Sequence, residues 1–167
     1  MSVSDGDGEA TSLSSCSDIH VVAGLLKLFL RLLPIPLIPF DQYDRLIAAM
    51  KCTSPLQRIG EVRTILARFP PAHFQTTKFL MAHLYRVSCE SARNKMTPKA
   101  LATVFAPTTM RRATLNVPPP SPSPSSSAPP SPAVPHNLAD PLSLLTLMDA
   151  EKEVIEFLIE REPEVFS

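Results

Sequence analysis

Apolar positions in this chain fall into successive runs at helical spacing, each bounded by a proline or a capping residue. The most apolar run extends from Asp18 to Pro39. In it Val21, Val22, Leu25, Leu28, Phe29 and Leu32 recur three and four residues apart, which predicts a helix burying that stripe. Leu33 precedes Pro34 and is biased away from helical angles, so the helix should end there. Pro34, Pro36 and Pro39 predict a stiff, extended exit. Asp41 is expected to cap the next helix, with Tyr43, Leu46, Ile47 and Met50 on one face. Ser54 and Pro55 start another, with Ile59, Val62, Ile65, Leu66 and Phe69 as its stripe. Pro70 and Pro71 break it. A long helix should follow from about Ala72, apolar at Phe74, Phe79, Leu80, Leu84 and Val87. Thr97 and Pro98 mark a further cap and first turn, with Leu101, Val104 and Phe105 inward. Asp140 and Pro141 restart a helix with apolar Leu144, Leu145, Met148, Val154, Phe157 and Leu158. Its expected outward residues are Glu151, Lys152, Glu153, Glu156 and Glu160. This alternation predicts an all-α fold.

Composition divides the chain. Of its nineteen prolines, against four glycines, a dense group runs from Pro118 to Pro135 among serines, where no apolar core can form. The expected organisation is a flexible leader over 1–17, a helical core over 18–112, a disordered Pro/Ser-rich insert over 113–139 and a terminal helix of the same domain over 140–167. The ordered part is then about 120 residues, enough for one modest helical core. Sixteen basic residues balance sixteen acidic ones, and no block of like charge argues for nucleic acid or an anionic surface. Cys16, Cys52 and Cys89 lack pair spacing, and His20, His73, His83 and His136 lack ligand spacing. Reduced thiols in a cytoplasmic protein are therefore expected, with no metal site and no cofactor. Val21 to Phe40 is long enough to cross a bilayer, but two central cations and three prolines exclude it as a transmembrane segment. No nucleophile with a base and no phosphate-cradling glycine loop suggests a self-contained enzyme.

Within the apolar run, Lys27 and Arg31 stand four residues apart and form one basic spot on the helix surface. Such a pair is commonly the solvated edge of a core helix.

The pattern LKLFLRLLPIPLIP resembles the LK-x-x-x-R-x-LP-x-PL signature of RhoGAP domains, the activators of Rho-type GTPases, and is most similar to the chimaerin group. Two further phrases in the same order resemble that group: FPPAHFQTTKFLMAHLYRV, and NKMTPKALATVFAPTTM from Asn94 to Met110. The resemblance implies a RhoGAP-type helical bundle, truncated at its first helices. It also implies a role in Rho/Rac signal transduction, with the GTP-bound form of a Rho/Rac-family small GTPase as partner. Lys27 and Arg31 then match residues on the face that meets the GTPase, and Asn94 and Pro107, at further motif positions, are expected to contact it as well. Asn94 also reads as a residue capping its own turn.

Departures from the pattern bear on activity. The family asparagine after Lys99 is Ala100 here, and the family glycine before Pro107 is Ala106. One partner contact should thereby be lost, a loss of order 1 kcal/mol. The family's arginine finger stands in a Gly-Ile-Phe/Tyr-Arg-Val/Leu-Ser-Gly-like loop ahead of the organising helix, whereas Met1 to Ser17 holds no arginine. The chain is therefore expected to be an impaired activator with no active site of its own. The competing readings are a non-catalytic GTPase-binding module and an incomplete fragment of a longer chimaerin-like protein, whose organising helix would show uncovered apolar surface. Arg111 and Arg112 precede Thr114 in an Arg-Arg-x-Thr pattern, and Ser121, Ser123 and Ser131 each precede a proline, so these four are candidate phosphorylation positions. Pro119 to Pro122 and Pro129 to Pro132 have the spacing of a PxxP ligand. Membrane recruitment, through the partner GTPase or domains of a longer form, completes the expectation.

Overall fold

The computed structural model describes residues 18–112 and 141–167, and within these every regular element is a helix. The expected leader, 1–17, and the whole of the expected insert, 113–139, lie outside the described residues. Helix α1 (Ile19–Leu32) is capped by Asp18, whose carboxylate accepts from His20 N at 2.8 Å. Helices α2 (Phe40–Met50), α3 (Pro55–Leu66), α4 (Pro71–Cys89) and α6 (Pro98–Thr109) follow the predicted runs. Three of these, α3, α4 and α6, carry proline at their first position, where the missing N–H leaves no bond unmade. Thr97 caps α6 by accepting from Ala100 N. Helix α7 (Pro141–Glu160) closes the core, and short helices α5 (Ser91–Asn94) and α8 (Glu162–Val165) were not foreseen.

The core sits where α6, α7, α4 and α2 converge. Helix α7 packs on α6, α2 and α4, α1 lies on α6, and α8 bridges α3 and α4. Leu46, Val62, Met81, Ala102, Val154, Ile155, Leu158 and Ile159 are fully buried there. Their removal from water is the main force holding the bundle, at roughly 25 cal/mol per Å².

Several faces differ from expectation. In α1 the residue facing the core is Leu30, with Leu26 and Leu33 packed beside it. The predicted stripe turns outward, Phe29 being 60% and Leu32 70% exposed. The helix is apolar almost all round, so periodicity alone could not choose the face; contact with α6 does. Phe79 on α4 and Val104 on α6 are also exposed, and Leu144, Leu145 and Met148 stand out from the first half of α7. Asp41 does not cap α2. The helix begins one residue earlier, at Phe40, and Asp41 joins its first turn, where a carboxylate suits the helix dipole. Glu151, expected outward, is buried beside Tyr43.

Gly24 in α1 and Gly60 in α3 are exposed, and a Cβ added at either meets nothing within 4 Å. Gly24→Ala and Gly60→Ala should each stabilise the fold by about 0.5–1 kcal/mol in chemical denaturation, because alanine orders at smaller entropic cost than glycine.

Candidate functional site

The site begins with the way α1 ends. The last carbonyls of any helix lack intrahelical donors, and the usual remedy is backbone N–H groups from the residues that follow. Here Pro34 and Pro36 have no N–H to give. Arg111 supplies the donors instead: its guanidinium donates to Arg31 O at 3.0 Å and to Leu33 O. A second tie lies just beyond, where Ile38 N donates to Thr109 O at 3.0 Å. His73, near the start of α4, donates from Nδ1 to Leu37 O at 3.0 Å. The exit after α1 is thus a connector, exposed at Pro34 and Ile35 and buried from Pro36 to Pro39, fastened to the C-terminal end of α6.

On this fixed end stand the two predicted cations. Arg31 is exposed in the last turn of α1, and Lys27 is half-buried one turn earlier. Among the described residues neither has an ion-pair partner within 4.0 Å, whereas Arg58, Arg93, Arg112, Lys152 and Arg161 all do. An uncompensated cation pair beside exposed Phe29 and Leu32 suits an anionic partner that also offers apolar contact. Beside it, Phe29, Leu33, Pro34, Ile35, Ala72 and Thr76 line a groove of about 350 Å³.

Pro107 lies inside α6, exposed, one turn before Arg111, and so belongs to the same end of the molecule. Asn94 does not. It precedes α6, whose twelve residues span about 18 Å at 1.5 Å each. Both ends of its amide are used internally: Nδ2 donates to Val87 O at 2.8 Å, and Oδ1 accepts from Met96 N at 2.7 Å. These bonds close the turn in which Lys95 adopts φ 61°. The capping reading of Asn94 is the one its bonds support.

Arg111 and Arg112 entered the sequence reading only as kinase determinants. Arg112 in fact reaches Asp44 at 3.5 Å and lies over the Tyr43 ring at 6.0 Å. A signal for Arg111 existed in the sequence, since a helix that runs into two prolines needs a donor from elsewhere. Thr114, Ser121, Ser123, Ser131 and both PxxP spacings lie outside the described residues. Among the described residues no cluster of three or more His, Cys, Asp or Glu could hold a metal ion, and no helix is long and apolar enough to cross a membrane.

Comparison with known proteins gives this end of the molecule its context. The RhoGAP domain family model matches residues 3–114. N-chimaerin of Rattus norvegicus is 33% identical over 162 residues, 97% of this chain and 41% of that protein. Beta-chimaerin of Mus musculus is 40% identical over 109 residues, 64% of this chain and 33% of that protein. Among solved structures, human Rho GTPase activating protein 15 superposes with a TM-score of 0.74 at 25% identity, over 95% of this chain and 64% of that one. The BH domain of GRAF, the GTPase regulator associated with focal adhesion kinase, gives 0.68 at 27% identity, over 89% and 66%. The chain thus spans under half the length of the chimaerins it matches. Since the family match takes in most of the sequence and the helical bundle agrees with solved members, the chain belongs to the RhoGAP domain family.

Proposed function

We propose that this chain engages the GTP-bound form of a Rho/Rac-type GTPase through the Lys27–Arg31 end of α1, as a signal-transduction module whose own stimulation of hydrolysis is weak. The observation that carries the reading is the cation pair left without an ion-pair partner among the described residues, on a tied helix end, in a chain of the RhoGAP family. Charge on GTP phosphates and on the acidic groups around them is the natural complement of such a pair. Weak stimulation is read from the residues ahead of α1, because Met1 to Ser17 holds no arginine that could serve as the family's finger. The module has no active site of its own; it regulates hydrolysis performed by its partner. The same reading places it in the cytoplasm, brought to membranes by the GTPase or by domains of a longer form. It keeps Thr114, Ser121, Ser123 and Ser131 as candidate phosphorylation positions and the PxxP spacings as ligands for a partner domain.

The test is calorimetric titration of a Rac-type GTPase loaded with a non-hydrolysable GTP analogue. Lys27→Ala combined with Arg31→Ala should weaken binding by about 2–3 kcal/mol, the usual effect of removing central charge contacts, and thermal unfolding should barely move. Unchanged affinity in a folded double variant would refute the proposed face.

A further inference from the structure

We infer that Arg111 is a positioning residue for the GTPase-binding face, holding the last turn of α1 so that Arg31 is presented in one orientation. The inference rests on the proposed role of Lys27 and Arg31 and adds a residue to it.

The argument starts from an unmet need. The carbonyls at the end of α1 face a connector in which Pro34 and Pro36 cannot donate, so the turn carrying Arg31 has no local C-cap. Arg111 meets that need from the other end of the chain's core, with one planar guanidinium spanning Arg31 O and Leu33 O. A fork of this kind fixes direction as well as distance, which a single ammonium cannot do. Its cationic charge also lies where the α1 dipole is negative. The fork is itself aimed by its surroundings: Arg111 follows Met110, which is buried at 1% exposure, and its Nε is enclosed by protein without an acceptor. The contact with the carbonyl oxygens is therefore the function its two terminal nitrogens serve. The α1 side of the contact is poorly anchored otherwise, since Phe29 and Leu32 are exposed and Leu30 is the one buried residue of the helix. Without Arg111, the last turn should fray towards Pro34 and Arg31 should sample many directions before binding.

The full chain is titrated with a Rac-type GTPase carrying a non-hydrolysable GTP analogue, in five forms: unaltered, Arg31→Ala, Arg111→Ala, the double variant and Arg111→Lys. Arg111→Ala should weaken binding about five- to tenfold. The double variant should bind no more weakly than Arg31→Ala alone, because Arg111 acts through Arg31. Arg111→Lys keeps the charge but not the fork, and should recover only part of the loss, again with no effect in the Arg31→Ala background. Should Arg111→Ala fail to fold, the lysine pair carries the test by the same criterion. Additive losses, full recovery by Arg111→Lys or unchanged binding by Arg111→Ala would overturn the inference while leaving the face intact. No effect of Arg31→Ala would remove the face, and the inference with it.

Discussion

Added in excess to a GTP-loaded Rac-type GTPase, the chain should accelerate single-turnover hydrolysis by less than about a hundredfold. An arginine finger contributes roughly a thousand- to a hundred-thousandfold, or about 4–7 kcal/mol of barrier at roughly 1.36 kcal/mol per decade. A finger must reach the transferred phosphoryl, and this requires an arginine on a segment that can extend into the partner's site. Arg31 cannot take that part. It stands in the last turn of α1, whose main chain is tied by Arg111 and whose Leu30 is locked in the core. The neighbours Phe29 and Leu32, which the apolar spacing placed in the buried stripe, are exposed and do not hold it. The proposed docking through Lys27 and Arg31 would therefore lower the free energy of the complex without answering the charge that builds during transfer. Acceleration beyond about a hundredfold, abolished by Arg31→Ala, would refute this account and make Arg31 the catalytic arginine.

A second large effect is expected inside the core. Tyr43 on α2 donates to Glu151 Oε1 on α7 at 2.6 Å, and both side chains are buried. Tyr43→Phe leaves that carboxyl without its donor and should destabilise the fold by about 2–3 kcal/mol, as expected for a hydrogen bond to a buried charged group. Glu151→Gln keeps an acceptor for Tyr43 and removes the charge, so it should stabilise the fold at neutral pH. The pH dependence follows from the direction of the shift. Burial raises the Glu151 carboxyl above its ordinary 4.5, although the Tyr43 bond and the Arg112 charge oppose it. Below 4.5 the group is protonated in both states. As pH rises past 4.5 the unfolded chain releases this proton first, so the contribution of Glu151 to stability falls until the folded group ionises as well. The stability of Glu151→Gln minus that of the unaltered chain should therefore grow with pH in the window just above 4.5 and then level off. Urea denaturation at a series of pH values measures it, and a difference that shrinks with rising pH would refute the assignment. Tyr43 is raised as well, chiefly by burial and then by the bond to Glu151, so stability should fall again as pH climbs past its ordinary value of 10.

Helix boundaries were legible in the sequence because prolines and caps state them locally: Pro55, Pro71, Thr97 with Pro98, and Pro141 each mark a start. Faces were legible only where polar residues alternate with apolar ones. Val62, Ile65 and Leu66 on α3 are buried as predicted, because Arg58, Glu61 and Arg63 leave one apolar side. On α1 apolar residues surround the axis, and the choice of Leu30 over Phe29 is made by α6, which periodicity does not see. Glu151 failed for a related reason. Its neighbours Lys152 and Glu153 suggest a solvated stretch, and only Tyr43, 108 positions away, gives the carboxyl a donor inside. In the candidate site, the Lys27–Arg31 pair was legible as a spacing. The two prolines after it signalled the need for an outside donor, but not which residue supplies it, since the bond from Arg111 joins residues some eighty positions apart.

The placement of α7 has a consequence for synthesis. Val154, Ile155, Leu158 and Ile159 complete the core against helices that leave the ribosome much earlier. Between Met110 and Pro141 lie thirty residues, which take about 2–6 s to translate at 5–20 residues per second. Throughout that interval α2, α4 and α6 have been made while the segment that covers them has not. Apolar surface left open during that pause is exposed to aggregation, and synonymous codon changes that slow passage through the proline-rich stretch should lower the soluble yield without altering a single residue.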